Sequence, residues 1–226
     1  MIKILFLVPE SKIVFTGQYT KLDTQAATQY AREANRLLAS SVLNRSKITL
    51  NTNGIAKKLQ RTFPGVETVV VAVPIVGNHP VVYISPAKAA FQLKTPNGMY
   101  AVDQHGYVLS ALTSPAADLI TLQEQSARPA TPGKQYLAGS TVGFAAAAVH
   151  QLGKAGYTVR YLDLPVTAPY ELDVYVEGKA YYVRFNLQGD VLQQSGGLIA
   201  ALKQQATGIQ PSVYVDVRTP GRVFVR

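Results

Sequence analysis

Histidines, a serine–lysine pair and several aspartates are the residues of this sequence whose types could support metal binding or catalysis. The three histidines, His79, His105 and His150, fall in a predicted turn, a second predicted turn and a predicted helix. A metal site needs ligands that one element or two neighbouring elements can bring together, and no two of these histidines have that spacing. We therefore expect no metal site, and we interpret His105 as a turn residue.

The tetrapeptide Ser85-Pro-Ala-Lys88 has the Ser-x-x-Lys spacing of penicillin-recognising enzymes, in which the lysine lies one helical turn after the serine. In this sequence Ser85 ends a predicted strand and Pro86 follows it, so a helical turn is disfavoured. The companion Ser-Asp-Asn and Lys-Thr-Gly motifs are absent from the sequence. We interpret the match as chance.

The aspartates also give no basis for acid–base catalysis. Predicted turns and strands separate them along the chain, so we expect no carboxylate pair; they are Asp103, Asp163, Asp173 and Asp216. The sequence also has no glycine-rich loop of the kind that cradles a phosphate. We therefore expect a protein without enzymatic activity, without a cofactor and without a small-molecule substrate.

Composition narrows the class of protein but not its partners. The 226 residues are 47% apolar and include no cysteine, which indicates a globular protein with a core and rules out disulfides and thiolate chemistry. Residues 1–65 contain ten lysines and arginines and three acidic residues, a net charge of +7, whereas residues 66–226 contain twelve and ten, a net charge of +2. The basic part is compatible with a solubilising surface, with anionic lipid headgroups or with nucleic acid.

The start of the sequence, MIKILFLVPESK, contains an apolar run that is too short to span a membrane. Ile4–Val8 is far below the ~20 residues that a spanning helix needs, and Pro9 ends it. The run is also shorter than a signal-peptide core and has no small-residue cleavage pattern. Two interpretations remain open: a soluble cytoplasmic protein, or the remainder of a segment that lay upstream.

The first 85 residues predict a strand, two helices and a closing hairpin. We place the N-cap of the first helix at Asp23 or Thr24 and its end near Ser40. Glycine, proline and polar residues separate the elements. The predicted strands are Lys12–Gly17, Val66–Val76 and Pro80–Ile84. The second helix is the basic Gly54–Phe63, and Pro64-Gly65 is predicted to stop it.

The remainder of the chain predicts a second α+β domain on an antiparallel sheet. It begins with a three-stranded meander, whose turns are Thr95–Gly98 and Asp103–Gly106. A helix at Pro115–Gln125, a helix at Thr141–Lys154 and a helix containing Leu198–Leu202 and ending at Gly208 are predicted around further strands. The predicted strands are Ala89–Leu93, Gly98–Val102, Tyr107–Leu109, Thr158–Leu162, Tyr170–Val176, Ala180–Phe185 and two at the end of the sequence.

The last thirteen residues, YVDVRTPGRVFVR, alternate apolar and polar residues as a strand does, break at Thr219-Pro220-Gly221 and resume as RVFV. An edge strand with no neighbour offers unpaired amides and carbonyls to another chain. The alternative is that RVFV is an inner strand, with Arg222 and Arg226 solvated and Gly221 only a turn or bulge residue.

Several of these stretches together resemble a known family. Leu59–Val66, followed by the two strands of the closing hairpin, is similar to the second half of a POTRA domain, in which a helix ends in Pro-x-Val. Tyr100–Val108 (YAVDQHGYV) resembles the Val-Asp-x-x-Gly-x-Val strand–turn–strand of the bacterial cell-division family FtsQ, called DivIB in Gram-positive bacteria. Tyr214–Arg218 with Pro220–Val225 resembles the Ile-Asp-Leu-Arg-x-x-Gly ending of that family.

The resemblance covers residues 12–226 and implies three segments. They are a remnant of an N-terminal anchor or linker at 1–11, a POTRA-like domain at 12–86 and an FtsQ/DivIB-type β domain at 87–226. Two features depart from the family pattern: the membrane-spanning helix is missing, and Ser85–Lys88 replaces the usual Glu-Arg-x-Pro. The resemblance implies a single-pass protein of the cell membrane with this region on the extracytoplasmic side.

The resemblance also implies a function in septum formation. Members of the family are non-enzymatic scaffolds whose last strands receive small coiled-coil division proteins, FtsB (DivIC) and FtsL, by strand addition. Carried onto this sequence, this binding predicts that Arg218 and Arg222 pair with partner carboxylates. The predicted partner-binding residues are Val217, Arg218, Thr219, Gly221, Arg222 and Val223.

Two alternative functions remain open from the sequence. A soluble nucleic-acid-binding protein is suggested by the basic cluster Lys47, Lys57, Lys58 and Arg61, although no aromatic stacking pair accompanies it. A component of a secretion or assembly machine would share the POTRA-like domain, but it should continue into a transmembrane barrel with many alternating strands.

Overall fold

The structure, a computed structural model, describes residues 5–16, 24–63, 65–204 and 211–226. The chain divides into two compact units, Met1–Lys88 and Ala89–Arg226. Four predicted features lie outside the described residues: the strand end at Gly17, the N-cap at Asp23, the helix stop at Pro64 and the helix end at Gly208.

The first unit has the predicted order of strand, helix, helix, strand, strand. Strand β1 pairs in parallel with β3, and β3 pairs in antiparallel fashion with β2, so β3 is the central strand. A short 3₁₀ helix, Val42–Arg45, links the two helices. The elements are β1 (Lys12–Phe15), α1 (Thr24–Ala39), α2 (Thr52–Thr62), β2 (Val66–Ala72) and β3 (Val81–Pro86).

Local chemistry explains the bounds of α2. The Asn51 side chain accepts a hydrogen bond from Gly54 N at 2.8 Å, which satisfies one of the free amides at the helix start. Ile55 and Leu59, four residues apart, are buried on one face of the helix. The ring of Tyr30 lies between those of Phe15 and Phe63, at centroid distances of 6.0 and 4.5 Å. These contacts close the core of the first unit.

The second unit is built on a nine-stranded sheet in the order β12-β11-β10-β9-β8-β7-β4-β5-β6. Its elements are β4 (Ala89–Thr95), β5 (Gly98–Asp103), β6 (Val108–Leu112), β7 (Thr121–Glu124), α3 (Gly139–Lys154), β8 (Val159–Leu164), β9 (Glu171–Val176), β10 (Tyr182–Asn186), α4 (Val191–Gln204), β11 (Tyr214–Asp216) and β12 (Phe224–Val225).

The predicted α+β class is confirmed, with one addition to the predicted pairing. Five of the strand pairs in this sheet are antiparallel. The other three are parallel, because β7 lies between β4 and β8 and because β11 returns beside β10 after α4. A parallel return requires a crossover connection, and α3 and α4 each lie within one.

The core of the second unit lies on one face of the sheet. Alternate residues of the central strands, among them Leu162, Val174, Val183 and Val215, are fully buried. The fully buried Leu152 of α3 and Leu198 of α4 belong to the same core. Along each of these strands, the residues that alternate with the buried ones point to the opposite face of the sheet, because side chains alternate along a strand.

Three predictions about elements of the second unit are wrong or incomplete. The predicted helix at Pro115–Gln125 is not formed, because Thr121–Glu124 is strand β7, with Leu122 fully buried between two parallel neighbours. Helix α4 begins at Val191, before the predicted Leu198. The stretch RVFV contributes only Phe224–Val225 as strand, since Thr219 O accepts a hydrogen bond from Arg222 N in a turn.

The turn between β5 and β6 shows why an aspartate and a glycine stand in the Val-Asp-x-x-Gly-x-Val stretch. Asp103 is 1% exposed, and its Oδ1 accepts hydrogen bonds from His105 N at 2.9 Å and Tyr107 N at 2.8 Å. Gly106 has a φ of 81°, which disfavours residues with a side chain. Its carbonyl oxygen accepts hydrogen bonds from Tyr136 N at 2.9 Å and Leu137 N at 3.2 Å.

Among the helices within the described ranges, none has both the length and the apolarity that crossing a membrane requires.

Candidate functional site

The last two strands lie at one end of the nine-stranded sheet. Strand β11 pairs with β10 on one side and with β12 on the other, and β12 is the outermost strand in the sheet order. Within the residues that the structure describes, no strand pairs with the outer side of β12. An edge strand of this kind can accept a strand of another chain.

The hydrogen bonds of β12 identify which backbone groups point outwards. Arg226 N donates to Tyr214 O at 3.0 Å and Tyr214 N donates to Arg226 O at 3.2 Å, so these two residues form a hydrogen-bonded pair. In an antiparallel ladder such pairs alternate with non-bonded pairs. The next pair, Val215 with Val225, is therefore non-bonded, and the amide and carbonyl of Val225 point away from β11.

A groove of about 330 Å³ separates the C-terminal segment from α4. On the helix side it is lined by Gln193, Gln194 and the small residues Gly197, Ala200 and Ala201, and apolar surface dominates its lining. Small residues allow another element to approach the helix closely. Five of the six predicted partner-binding residues line this groove: Val217, Thr219, Gly221, Arg222 and Val223.

The six predicted residues differ in what they can offer to a partner. Val217 is 2% exposed and belongs to the core, and Val223 is half-buried beside Gly197. The exposed residues are Thr219, Gly221 and Arg222, and Arg218 is exposed as a residue but bonded within the chain. The sequence therefore predicted a spatial cluster in which only some members present a side chain to solvent.

Arg218 holds the end of the chain against the sheet through two ion pairs. Its Nη1 lies 2.6 Å from Glu171 Oε2, and its Nη2 lies 2.6 Å from Asp216 Oδ2. Burial raises the pKa of Asp216, but the hydrogen bonds from Arg218 outweigh this effect and hold the pKa below its usual value. The guanidinium that we predicted to bind partner carboxylates is thus bound to two carboxylates of its own chain. Of the predicted pair, Arg222 is the one whose side chain has no ion pair with the described residues.

Arg218→Gln is expected to lower the free energy of unfolding of the second unit by about 1 kcal/mol, because Glu171 loses its closer cationic partner while solvent screens part of the pair. Arg184 Nε, 3.4 Å from Glu171 Oε1, limits the loss. Urea unfolding measures the change, and Arg222→Gln at an exposed position is the matched control. Equal stability of both variants would contradict the role assigned to Arg218.

The face of the sheet opposite the core carries a ladder of four tyrosines. Tyr161, Tyr175, Tyr182 and Tyr214 are cross-strand neighbours on β8 to β11, with successive ring centroids 4.1, 5.3 and 6.1 Å apart. The guanidinium of Arg184 lies 4.2 Å from the centroid of the Tyr214 ring. Stacked rings and a cation over a ring both stabilise this face.

A row of charged residues runs beside the tyrosines, and it corrects an expectation from the sequence. Asp163 on β8 lies directly opposite Asp173 on β9, and Arg184 lies opposite both Asp173 and Asp216. The expectation that these aspartates lie apart is therefore wrong for three of the four, and only Asp103 stands elsewhere, in its turn. The pairing depends on strand register, which the separation along the chain does not reveal.

Asp173 is the most perturbed carboxyl of this row. It is 6% exposed, and no hydrogen bond reaches its Oδ1, which lies 3.9 Å from Arg184 Nε. Burial and the neighbouring Glu171 carboxylate raise the pKa of Asp173 to about 7. Burial also raises the pKa of Asp163. The row can thus hold a proton at neutral pH.

The remaining residues that we considered for chemistry are dispersed. His79 Nδ1 lies 3.1 Å from Glu10 O, His105 lies in the β5–β6 turn and His150 lies on α3. Ser85 lies within β3. Across the described part of the chain, no three histidine, aspartate or glutamate residues form a group that could hold a metal ion.

Comparisons with known proteins do not assign the chain to a family. No model of a known protein family matches the sequence, and no curated protein sequence matches it either.

Proposed function

We propose that this chain is a non-enzymatic scaffold of the bacterial division machinery that docks small coiled-coil proteins of the FtsB (DivIC) and FtsL types. In this proposal the chain acts in septum formation, on the extracytoplasmic side of the cell membrane, as part of a single-pass membrane protein. The observation that supports the proposal best is the position of β12, an outermost strand beside a groove lined by five predicted binding residues.

Strand addition at β12 accounts for several features of this region. A partner strand would bond to the outward amide and carbonyl of Val225, and its alternate side chains would reach the groove beside Gly197. Main-chain hydrogen bonds supply affinity in this mode, and the pockets for alternate side chains supply specificity. Arg222, which is exposed beside the groove, would contact a partner carboxylate.

Val225→Pro is expected to weaken binding of a partner strand by at least about tenfold, because proline removes the outward amide without removing a bond to β11. The measurement is a titration of the full chain with peptides from the C-terminal segments of the FtsB-like and FtsL-like proteins of the same organism. Val225→Ala is the matched control, since it shortens the exposed side chain and keeps the amide.

Three outcomes are distinguished by this titration. Binding by the native chain and by Val225→Ala, but not by a folded Val225→Pro, supports strand addition. Equal loss in both variants assigns the affinity to the side chain and contradicts addition at this edge. Absence of binding by the native chain at high micromolar peptide concentration contradicts the choice of partners.

A further inference from the structure

One end of the first unit exposes an unusual amount of apolar surface. Ile75 and Val76, in the connection between β2 and β3, are 93% and 89% exposed. Leu5–Phe6, Val42–Leu43 and Ile48 are also exposed. Single exposed aliphatic residues are common on soluble proteins, but a contiguous group of them marks an interaction site. We call these residues the apolar tip: Leu5–Phe6, Val42–Leu43, Ile48 and Ile75–Val76.

The residues of the apolar tip belong to three segments of the chain, 5–8, 41–49 and 75–79, and hydrogen bonds show that these segments are neighbours. Lys47 N donates to Leu5 O at 2.9 Å, and Leu7 N donates to Arg45 O at 2.8 Å. The Lys47 side chain reaches the third segment, because its Nζ donates to Ile75 O at 3.3 Å. Val8 N donates to Asn78 O at 2.9 Å, which ties the first segment to the same connection. The segments that carry the apolar tip therefore lie next to one another.

The charged side chains within the segments of the apolar tip are basic, and an exposed carboxylate, Glu10, follows the first segment, with its carbonyl oxygen 3.1 Å from His79 Nδ1. Arg45 and Lys47 lie within its segments, and residues 5–8, 41–49 and 75–79 contain no aspartate or glutamate. Arg45 is exposed. Exposed aliphatic side chains next to basic residues have the chemistry of a surface that rests on anionic lipid, with the apolar groups below the headgroups and the cations among the phosphates.

From this combination we infer that the apolar tip binds the surface of an anionic lipid bilayer. Ile75 and Val76 have the largest exposed fractions of the tip and would enter the boundary between headgroups and acyl chains. Binding to a bilayer needs apolar area that can enter the headgroup boundary and attraction to anionic lipid, and the apolar tip offers both. The inference concerns the first unit and does not depend on docking at β12, so the two can fail separately.

The absence of tryptophan from the sequence permits a direct test, because Ile75→Trp introduces a single fluorescent reporter into the tip. Vesicles of phosphatidylglycerol and phosphatidylcholine are expected to shift its emission to shorter wavelength and to protect it from an aqueous quencher. Val166→Trp, at a 57% exposed position of the second unit, is the matched control and is expected to show neither change. Equal responses of the two reporters, or no response at Ile75→Trp, would overturn the inference.

Vesicle sedimentation of variants without a reporter tests the two parts of the chemistry. The double variant Ile75→Ser/Val76→Ser is expected to lower the partition coefficient by about tenfold or more, because it removes the aliphatic groups that enter the bilayer. Arg45→Gln is expected to lower it by about fivefold and to reduce its dependence on salt. Leu192→Ser, at an exposed position of the second unit, should leave the partition coefficient unchanged.

Two outcomes would contradict the inference. Equal binding to pure phosphatidylcholine vesicles would contradict the electrostatic part, and unchanged binding by the double variant would contradict insertion of the tip.

Discussion

Gly106→Ala is expected to lower the free energy of unfolding of the second unit by more than about 3 kcal/mol. Two costs add at this residue. An alanine would hold a φ of 81° with a side chain present, and its Cβ would overlap the carbonyl group of Leu137, lying only 2.7 Å from the carbonyl carbon. The obstacle is backbone that Gly106 itself binds through its carbonyl, so relief of the overlap would break those hydrogen bonds.

Gly133→Ala separates the two costs. Gly133 has nearly the same φ, 80°, but nothing lies within 4 Å of an added Cβ, so only about 1–2 kcal/mol of backbone strain is expected. Urea unfolding of the full chain gives the free energies, and hydrogen exchange of β5 and β6 peptides shows whether the loss is local. Similar losses in the two variants would contradict the importance of the contact with Leu137.

Asp173→Asn is expected to stabilise the second unit at pH 8 by about 2–4 kcal/mol and to have little effect at pH 4. The pKa of this carboxyl is raised to about 7 in the folded chain from an ordinary value near 3.8. Between these values the folded state holds a proton that the unfolded state has lost, so stability falls as the pH rises. Above about pH 7 the folded chain must keep the buried carboxylate ionised, and asparagine removes that cost.

Calorimetric melting at the two pH values measures this effect, with Asp118→Asn at an exposed position as the control. The native chain should melt at a higher temperature at pH 4 than at pH 8 in the transition of the second unit, and the Asp173→Asn variant should lose most of that difference. A constant offset between variant and native chain at both pH values would show that the carboxyl is ionised throughout the range.

The sequence predicted most elements, and the exception at β7 has a physical cause. Strand β9 was predicted at nearly its observed position, because its continuous apolar pattern reflects burial in a sheet. Strand β2 begins as predicted at Val66 but ends at Ala72, so the prediction of strand up to Val76 was wrong: Ile75 and Val76 are apolar but exposed in the connection to β3. The stretch around Thr121–Glu124 has the composition of a helix and only four residues of strand. Its pairing with two distant neighbours determines its conformation, and local sequence carries no signal of that pairing.

The candidate site was predictable as a location and only partly as a set of contacts. The alternation of the last thirteen residues and the break at Thr219–Gly221 pointed to the segment that now lines the groove with α4. The part of the groove that Gly197, Ala200 and Ala201 of α4 line was not predicted, although the spacing of these small residues places them on one face of a helix and could have indicated it. The bond of Arg218 to Glu171 and the pairing of Asp163 with Asp173 were not predictable, because each depends on how the strands align in the sheet.

The position of β7 has a consequence for how the second unit forms. On one side of β7 the strands β4, β5 and β6 are joined by short turns, and on the other side β8, β9 and β10 follow one another closely. Each of these groups of strands can form through contacts between residues that are close in the sequence. Strand β7 alone joins them, through parallel pairs that close loops such as the one from Thr121 to Tyr161. Loop-closure entropy opposes this step, and we expect the insertion of β7 to limit the rate at which the two groups become one cooperative sheet.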